Sequence, residues 1–211
     1  MSNRPEAQSD TLAIAGVVLA AGQSRRMGRP KLTLPWGDTT IIGKVVATLA
    51  HSGLSEIHLV TGGDRAEVEE AVRKLELDIP VGFVFNPDYQ EDEMIVSIQA
   101  GLAALSDHLE AAVIALGDQP QIELGTVQAL LEAYRCHSAG LIVPSYRMRR
   151  GHPWLVRRAL WADVQALQAP QNLRDFLNAN AEGIHYVSVD TESVLQDIDT
   201  PGDYQRFARS S

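Results

Sequence analysis

The chain has 211 residues, 45% hydrophobic and 21% charged, enough to bury one sizeable core, and no apolar stretch approaches the length of a membrane span. A formal net charge of −9 speaks against a surface built for nucleic acid, which takes a basic footprint. The lone Cys136 excludes an intramolecular disulfide and supplies too few thiols for a zinc or iron–sulfur centre; it falls in a helical pattern, packed or at the surface.

The elements alternate along the chain. Residues 1–12 read as a flexible polar tail without the plan of a secretory signal, which predicts a cytoplasmic protein. Ile14 to Leu19 is a buried strand, Thr40 to His51 a helix, and Glu56 to Thr61 a second strand closed by Gly62-Gly63. Asp64 is placed to cap a helix running to Lys74. Strand Val81 to Phe85 ends at Asn86-Pro87, helix Met94 to Leu105 follows, and strand Ala111 to Leu116 ends at Gly117-Asp118-Gln119-Pro120. After helix Thr126 to His137 and strand Leu141 to Val143, the segment Tyr146 to Val156 predicts a hairpin or extended arm around Gly151-His152-Pro153. Leu160 to Leu167 and Leu173 to Asn178 predict helices, and Ile184 to Val189 a late strand. Asp197-Ile198-Asp199-Thr200-Pro201 introduces a terminal helix, with Asp or Thr at its cap. Near-continuous apolar strands alternating with helices predict one three-layer, Rossmann-like α/β domain over 13–211, with a mainly parallel sheet and residues 145–190 as an acceptor-side lobe.

Between Leu19 and Lys31 the first strand opens into Ala20-Ala21-Gly22-Gln23-Ser24-Arg25-Arg26-Met27-Gly28-Arg29-Pro30. Glycines let backbone N–H groups approach oxyanions, and Arg25, Arg26, Arg29 and Lys31 neutralise them, so the loop suits phosphates. Its spacing is neither Walker A nor G-x-G-x-x-G, which counts against an ATPase and a standard dehydrogenase. A second cationic island, Arg147, Arg149 and Arg150 with Arg157 and Arg158 after it, reads either as an anion site or as a solvated face.

In open α/β sheets, ligands collect beyond the carboxyl ends of the strands, where Asp118 stands. An Asp there suits Mg²⁺, which takes carboxylate and phosphate oxygens; the competing role is a cap for the next turn. Asp197 and Asp199 point to one side of an extended segment, and either can complete a divalent site beside Asp118. The competing role for Asp199 is to cap the last helix. His152, between Gly151 and Pro153 near the second island, reads as a substrate contact against a structural role. Trp36, Trp154 and Trp161 read as packing residues. No Ser-His-Asp, Cys-His or H-x-x-x-H pattern offers a rival chemistry, and the whole points to phosphoryl or nucleotidyl transfer.

Leu19-Ala20-Ala21-Gly22 through Ser24, Arg26, Met27, Gly28 and Lys31 resembles the signature of the MobA-like nucleotidyltransferases. Lys31-Leu32-Thr33-Leu34-Pro35, Gly117-Asp118-Gln119-Pro120, Arg150-Gly151-His152-Pro153 and Asp197-Ile198-Asp199-Thr200-Pro201 follow in that family's order, with the likeness strongest to its molybdenum cofactor cytidylyltransferase branch. The resemblance implies a GT-A-type nucleotidyltransferase fold, Mg²⁺ dependence, and transfer of CMP from CTP to the terminal phosphate of molybdopterin. It also implies transient contact with apo-molybdoenzymes of the xanthine dehydrogenase type, while the charge and the lack of an apolar span predict no nucleic-acid or membrane partner. By match, Leu19, Ala20, Ala21, Gly22, Ser24, Arg26, Lys31, Thr61, Gly62 and Asn86 bind the nucleotide. Lys31, Arg26 and Asp118 are the catalytic residues, Asp118 and Asp199 hold the metal, and His152 and Arg150 meet the acceptor. Leu-Ala-Ala-Gly in place of the guanylyl-transferring Leu-Ala-Gly-Gly favours CTP.

The chain departs from the family pattern at Glu93-Met94-Ile95-Val96-Ser97-Ile98, where relatives carry Gly-Met-Ser-Ser-Ser-Leu, and at Asn172-Leu173-Arg174 in place of Gly-Ala-Arg. Another phosphorylated acceptor such as a sugar phosphate, a nicotine blue oxidoreductase-like activity, and a non-catalytic carrier of the pterin cofactor stand as alternatives.

Overall fold

The computed structural model describes residues 13–22, 27, 30–91, 94–168 and 173–208. Its main sheet is assembled from β1 (Ile14–Ala20), β4 (Glu56–Thr61), β5 (Val81–Phe85), β6 (Ala111–Leu116), β7 (Leu141–Tyr146), β9 (Trp154–Arg157) and β10 (Ile184–Ser188), in the order β10-β7-β9-β6-β1-β4-β5. β1 lies at the centre of a parallel group, with Ala20 opposite Thr61 of β4 and Leu19 opposite Leu116 of β6. The carboxyl ends of β1, β4, β5 and β6 therefore share one edge.

Side chains of β1 alternate between two cores, as a strand buried on both faces requires. Ile14 and Val18 join Ile42, Val46, Leu59 and Leu131 on one face, against α1 (Ile41–Ala50) and α4 (Leu124–Cys136). Val17 joins Val60, Ile98, Leu102, Trp154 and Phe176 on the other, against α3 (Met94–Ala103) and α6 (Leu173–Ala179). Gly101 lets α3 settle on β1, since a β-carbon there would collide with Val17. Trp36, Trp154 and Trp161 are all buried, as expected of packing residues.

The sheet is mainly parallel, as expected, with β9 running antiparallel between β6 and β7. β7 also continues beyond Val143 to Tyr146. Its Pro144, which lacks an N–H, is tolerated because β9 pairs only with Leu141 and Ile142. The hairpin forms between β7 and β8 (Arg149–Arg150), around Arg147 and Met148, both at positive φ. A short β2 (Pro35–Trp36) and β3 (Thr39–Thr40) precede α1, a hairpin not anticipated from the sequence. Helix α2 (Arg65–Arg73) starts after Asp64, but that carboxylate makes no capping bond; at ψ 29° its backbone is not extended, so the side chain is not aimed at the first free N–H groups. The helix expected at 160–167 is a 3₁₀ turn followed by α5 (Trp161–Gln165).

Helix α7 (Pro201–Phe207) opens on a capping box: Thr200 Oγ1 accepts from the Asp203 N–H at 3.2 Å, and Asp203 Oδ2 accepts from the Thr200 N–H at 2.8 Å. Thr200 is thus the cap. Asp199 is released from that duty. None of the described residues forms a helix long and apolar enough to cross a membrane.

Candidate active site

Lys31 is placed by its neighbours. Leu32 and Leu34 are buried in the α1-side core, and their carbonyls accept from the first two amides of α1, Ile42 at 2.9 Å and Ile41 at 3.0 Å. This fixes the turn from which the Lys31 side chain reaches across the sheet edge. Its Nζ donates to Asp118 Oδ2 at 2.6 Å, to the Ile198 carbonyl at 2.9 Å and to Asp199 Oδ1 at 3.2 Å.

Asp118 stands just beyond β6, after Gly117. Asp199 arrives from the far end of the chain, held by Ile198, which is fully buried and donates its N–H to the Asp118 carbonyl at 3.1 Å. With Ile198 turned into the core, Asp197 and Asp199 both line the cleft, as the period of two requires. Gln119 Nε2 donates to Asp197 Oδ1 at 2.6 Å and draws that carboxylate aside.

Burial alone would lower the Lys31 pKa, but Asp118 and Asp199 outweigh it and hold the ammonium above its ordinary value. The Asp197 pKa is raised as well, which for a carboxylate disfavours the charged form. The surrounding protein raises its pKa despite open surface toward the cleft, with the Asp118 and Asp199 charges adding to that and the Gln119 bond opposing it.

The cleft has a volume of about 310 Å³. Leu19, Ala21 and Gly22 form one wall and Asp118, Asp197 and Asp199 another. Tyr89, Met94, Ser97 and Leu116 complete it. Of these four, only Ser97 and Met94 lie in a segment that the sequence singled out; Tyr89 is the first residue of a short 3₁₀ turn after β5, at the same sheet edge. A wider groove of about 1080 Å³ runs along α1 and α2 and contains none of these residues. The converging charges, not size, mark the smaller cleft as the site.

The other expected site residues are placed as follows. Ala20 is buried in the α1-side core. Thr61 is fully buried, and its hydroxyl donates to the Val84 carbonyl at 3.3 Å. Gly62 abuts the loop after β1, where a β-carbon would stand 2.6 Å from the Ala21 oxygen and 2.9 Å from Tyr89 Cβ. Asn86 is buried behind the cleft; its Nδ2 donates to Ser97 Oγ at 3.1 Å and its Oδ1 accepts from the Asp88 N–H at 3.0 Å. Ser24 and Arg26, with Arg25, Gly28 and Arg29, lie outside the described residues.

His152 and Arg150 are not among the residues lining the cleft. The His152 ring stacks on Trp154, centroids 4.5 Å apart and planes 14° apart, with Nε2 shut off from solvent and without a hydrogen-bond partner among the described residues. Burial lowers its pKa to about 4, so the imidazole is neutral at pH 7. Arg150 is exposed, its guanidinium 5.5 Å from the centre of the Tyr186 ring.

The second cationic island divides. Arg157 donates to the carbonyls of Ala139, Tyr134 and His137, satisfying the end of α4, and Arg158 donates to those of Ser106 and Leu109 and to Asp107. Their work is structural. Arg147, Arg149 and Arg150 remain exposed on the β7–β8 hairpin. Cys136 is exposed, and the Glu132 carboxylate beside it raises its pKa, which makes it a poor nucleophile.

Among the described residues, no group of three His, Cys, Asp or Glu is arranged to hold a metal. Two carboxylate oxygens nevertheless converge on one cation, the Lys31 ammonium. Such a pair of hard donors fits a divalent ion that takes its remaining ligands from phosphate and water.

A family model described as the MobA-like NTP transferase domain matches residues 16–184. The chain is 31% identical over 193 residues to the molybdenum cofactor cytidylyltransferase of Escherichia coli (strain K12), covering 91% of this chain and 94% of that protein. It is 30% identical over 201 residues to the nicotine blue oxidoreductase of Paenarthrobacter nicotinovorans, covering 91% and 95%. The crystal structure of Rv0371c from Mycobacterium tuberculosis H37Rv in complex with manganese superposes with a TM-score of 0.75 at 28% identity, covering 94% of this chain and 99% of that one.

Proposed function

The chain belongs to the MobA-like NTP transferase family and is a nucleotidyltransferase of that type; from this premise we propose that it moves CMP from CTP onto the terminal phosphate of molybdopterin, releasing pyrophosphate. The observation that carries this reading is the meeting of Asp118, Asp199 and Lys31, from three separate parts of the chain, at the sheet edge beside Ala21 and Gly22. The Ala21 methyl on the cleft wall narrows the space for a base, which supports a pyrimidine nucleotide.

In the proposed reaction an oxygen of the acceptor phosphate attacks the α-phosphorus of CTP. A new P–O bond forms as the bond to the bridging α–β oxygen breaks, and pyrophosphate leaves with that electron pair. Lys31 offsets charge on the leaving oxygens, an effect worth a few kcal/mol of barrier. Asp118 and Asp199 would hold Mg²⁺, which neutralises charge on the α- and β-phosphates. No residue need act as general base, because a phosphate monoester with a second pKa of about 6 is already ionised at pH 7. Arg26 and Ser24 are assigned to the phosphates by family match. Arg150 and His152 are assigned to the acceptor by family match, Arg150 being exposed on the β7–β8 hairpin.

The test is incubation with each of the four NTPs, Mg²⁺ and molybdopterin, followed by pyrophosphate detection. Release specific to CTP and molybdopterin is expected. Release with sugar phosphates instead moves the acceptor. Molybdopterin binding without turnover makes the protein a carrier. The similarity to nicotine blue oxidoreductase supports a second reading, decided by whether NAD(P)H is consumed with that dye.

A further inference from the structure

We propose that the Lys31 ammonium and the divalent cation are alternative occupants of the Asp118–Asp199 pair, so that metal settles there only by displacing Lys31, and most readily when a nucleotide draws Lys31 away. This inference rests on the nucleotidyltransferase reading above.

Among the described residues, three acceptors surround Nζ: Asp118 Oδ2 at 2.6 Å, the Ile198 carbonyl at 2.9 Å and Asp199 Oδ1 at 3.2 Å. They match the three donors of an ammonium in number, so Lys31 is fully engaged by protein. A small divalent ion takes carboxylate oxygens at about 2.1 Å. An ion taking the same two oxygens would stand close against the ammonium that already spans them, and two cations repel strongly at such range. Asp197 lines the same cleft, its Oδ1 accepting from Gln119 Nε2 at 2.6 Å.

Lys31 has somewhere to go. Its side chain is tethered by four flexible carbons, while its backbone is pinned, the Lys31 carbonyl accepting from the Leu34 N–H at 3.1 Å. The head can swing toward phosphates lying along Ala21 and Gly22 without moving the turn. Triphosphate then exchanges carboxylates for phosphates around the ammonium and frees the acids for the ion. The device suppresses metal uptake in the absence of nucleotide and makes the nucleotide–metal complex the preferred entrant.

Free Mn²⁺ can be counted by electron paramagnetic resonance during titration of the whole protein, with and without CTP. Wild type is expected to bind Mn²⁺ alone at least tenfold more weakly than Lys31→Met does, and Lys31→Arg, which keeps the charge, to stay as weak as wild type. Equal affinity of wild type and a folded Lys31→Met for Mn²⁺ alone overturns the proposal. A second measurement needs no variant: acetic anhydride labelling of Lys31, read by mass spectrometry, should rise several-fold when millimolar Mg²⁺ is added without nucleotide. Unchanged labelling also overturns it. Should neither protein bind Mn²⁺ even with CTP present, the nucleotidyltransferase reading fails and takes this inference with it.

Discussion

The Ile198 N–H and the Asp118 carbonyl are joined by a single 3.1 Å backbone hydrogen bond that brings the loop after β6 and the approach to α7 to one side of the cleft. Ile198 supplies the adhesion, being fully buried in the α1-side core, and its acidic neighbours are carried to the opening. Asp199 is therefore oriented by its neighbour's hydrophobicity rather than by any helix-capping role.

Removing either partner of the 2.6 Å contact should stop the reaction. Lys31→Ala and Asp118→Ala are each expected to lower CTP-dependent pyrophosphate release by about 100-fold or more. Far-ultraviolet circular dichroism should show both folded. Turnover like that of wild type in both would end the proposed mechanism.

Thr200→Ala separates the cap from the carboxylate beside it. Loss of the capping box should cost about 1 kcal/mol in urea unfolding, because the Asp203 amide loses its acceptor. Asp199 stays anchored through Ile198, so kcat is expected within about threefold of wild type, on the order of 0.6 kcal/mol. A collapse in kcat with little stability change would mean that Asp199 depends on the cap after all.

Gly62→Ala tests the contact between the loops after β4 and β1. The added methyl meets the Ala21 oxygen at 2.6 Å and Tyr89 Cβ at 2.9 Å, neither of which is the far end of a flexible side chain. We expect about 1–3 kcal/mol of destabilisation by overpacking. CTP affinity should fall too, since Ala21 and Tyr89 both line the cleft. Differential scanning calorimetry and isothermal titration would read the two effects.

Acid should expose His152. Its pKa falls from 6.5 to about 4 in the folded protein, so the unfolded chain binds the proton more readily. The stability associated with the neutral ring is complete above pH 6.5 and is lost as the pH falls toward 4, about 3 kcal/mol across that window. His152→Phe keeps the stack on Trp154 without the titration. Urea midpoints followed from pH 7 to pH 4 should decline less steeply in the variant; parallel curves would refute the assignment.

The parts of the site that follow strands were legible because each strand announces its own end. Ala20-Ala21-Gly22 after one apolar run and Gly117-Asp118 after another place themselves once the sheet is parallel. Period-two alternation likewise put Asp197 and Asp199 on one side. The antiparallel seat of β9 was not legible, because Trp154-Leu155-Val156 looks equally apolar in either direction. Nor was the Gln119–Asp197 bond: polar side chains that meet across 78 positions leave no periodic trace. Arg157 misled for a related reason, since a cation satisfying helix carbonyls carries the same letter as one awaiting an anion.

Lys31, Asp118 and Asp199 leave the ribosome in that order. A ribosome-bound fragment that has emitted the first two has a cation facing only one of its two acids, and the charge balance closes once Asp199 follows. Completion of the charged cluster thus waits for the segment beyond β10, and a translation product that stops before it would carry the Ala21–Gly22 wall of the cleft without one of its two acids.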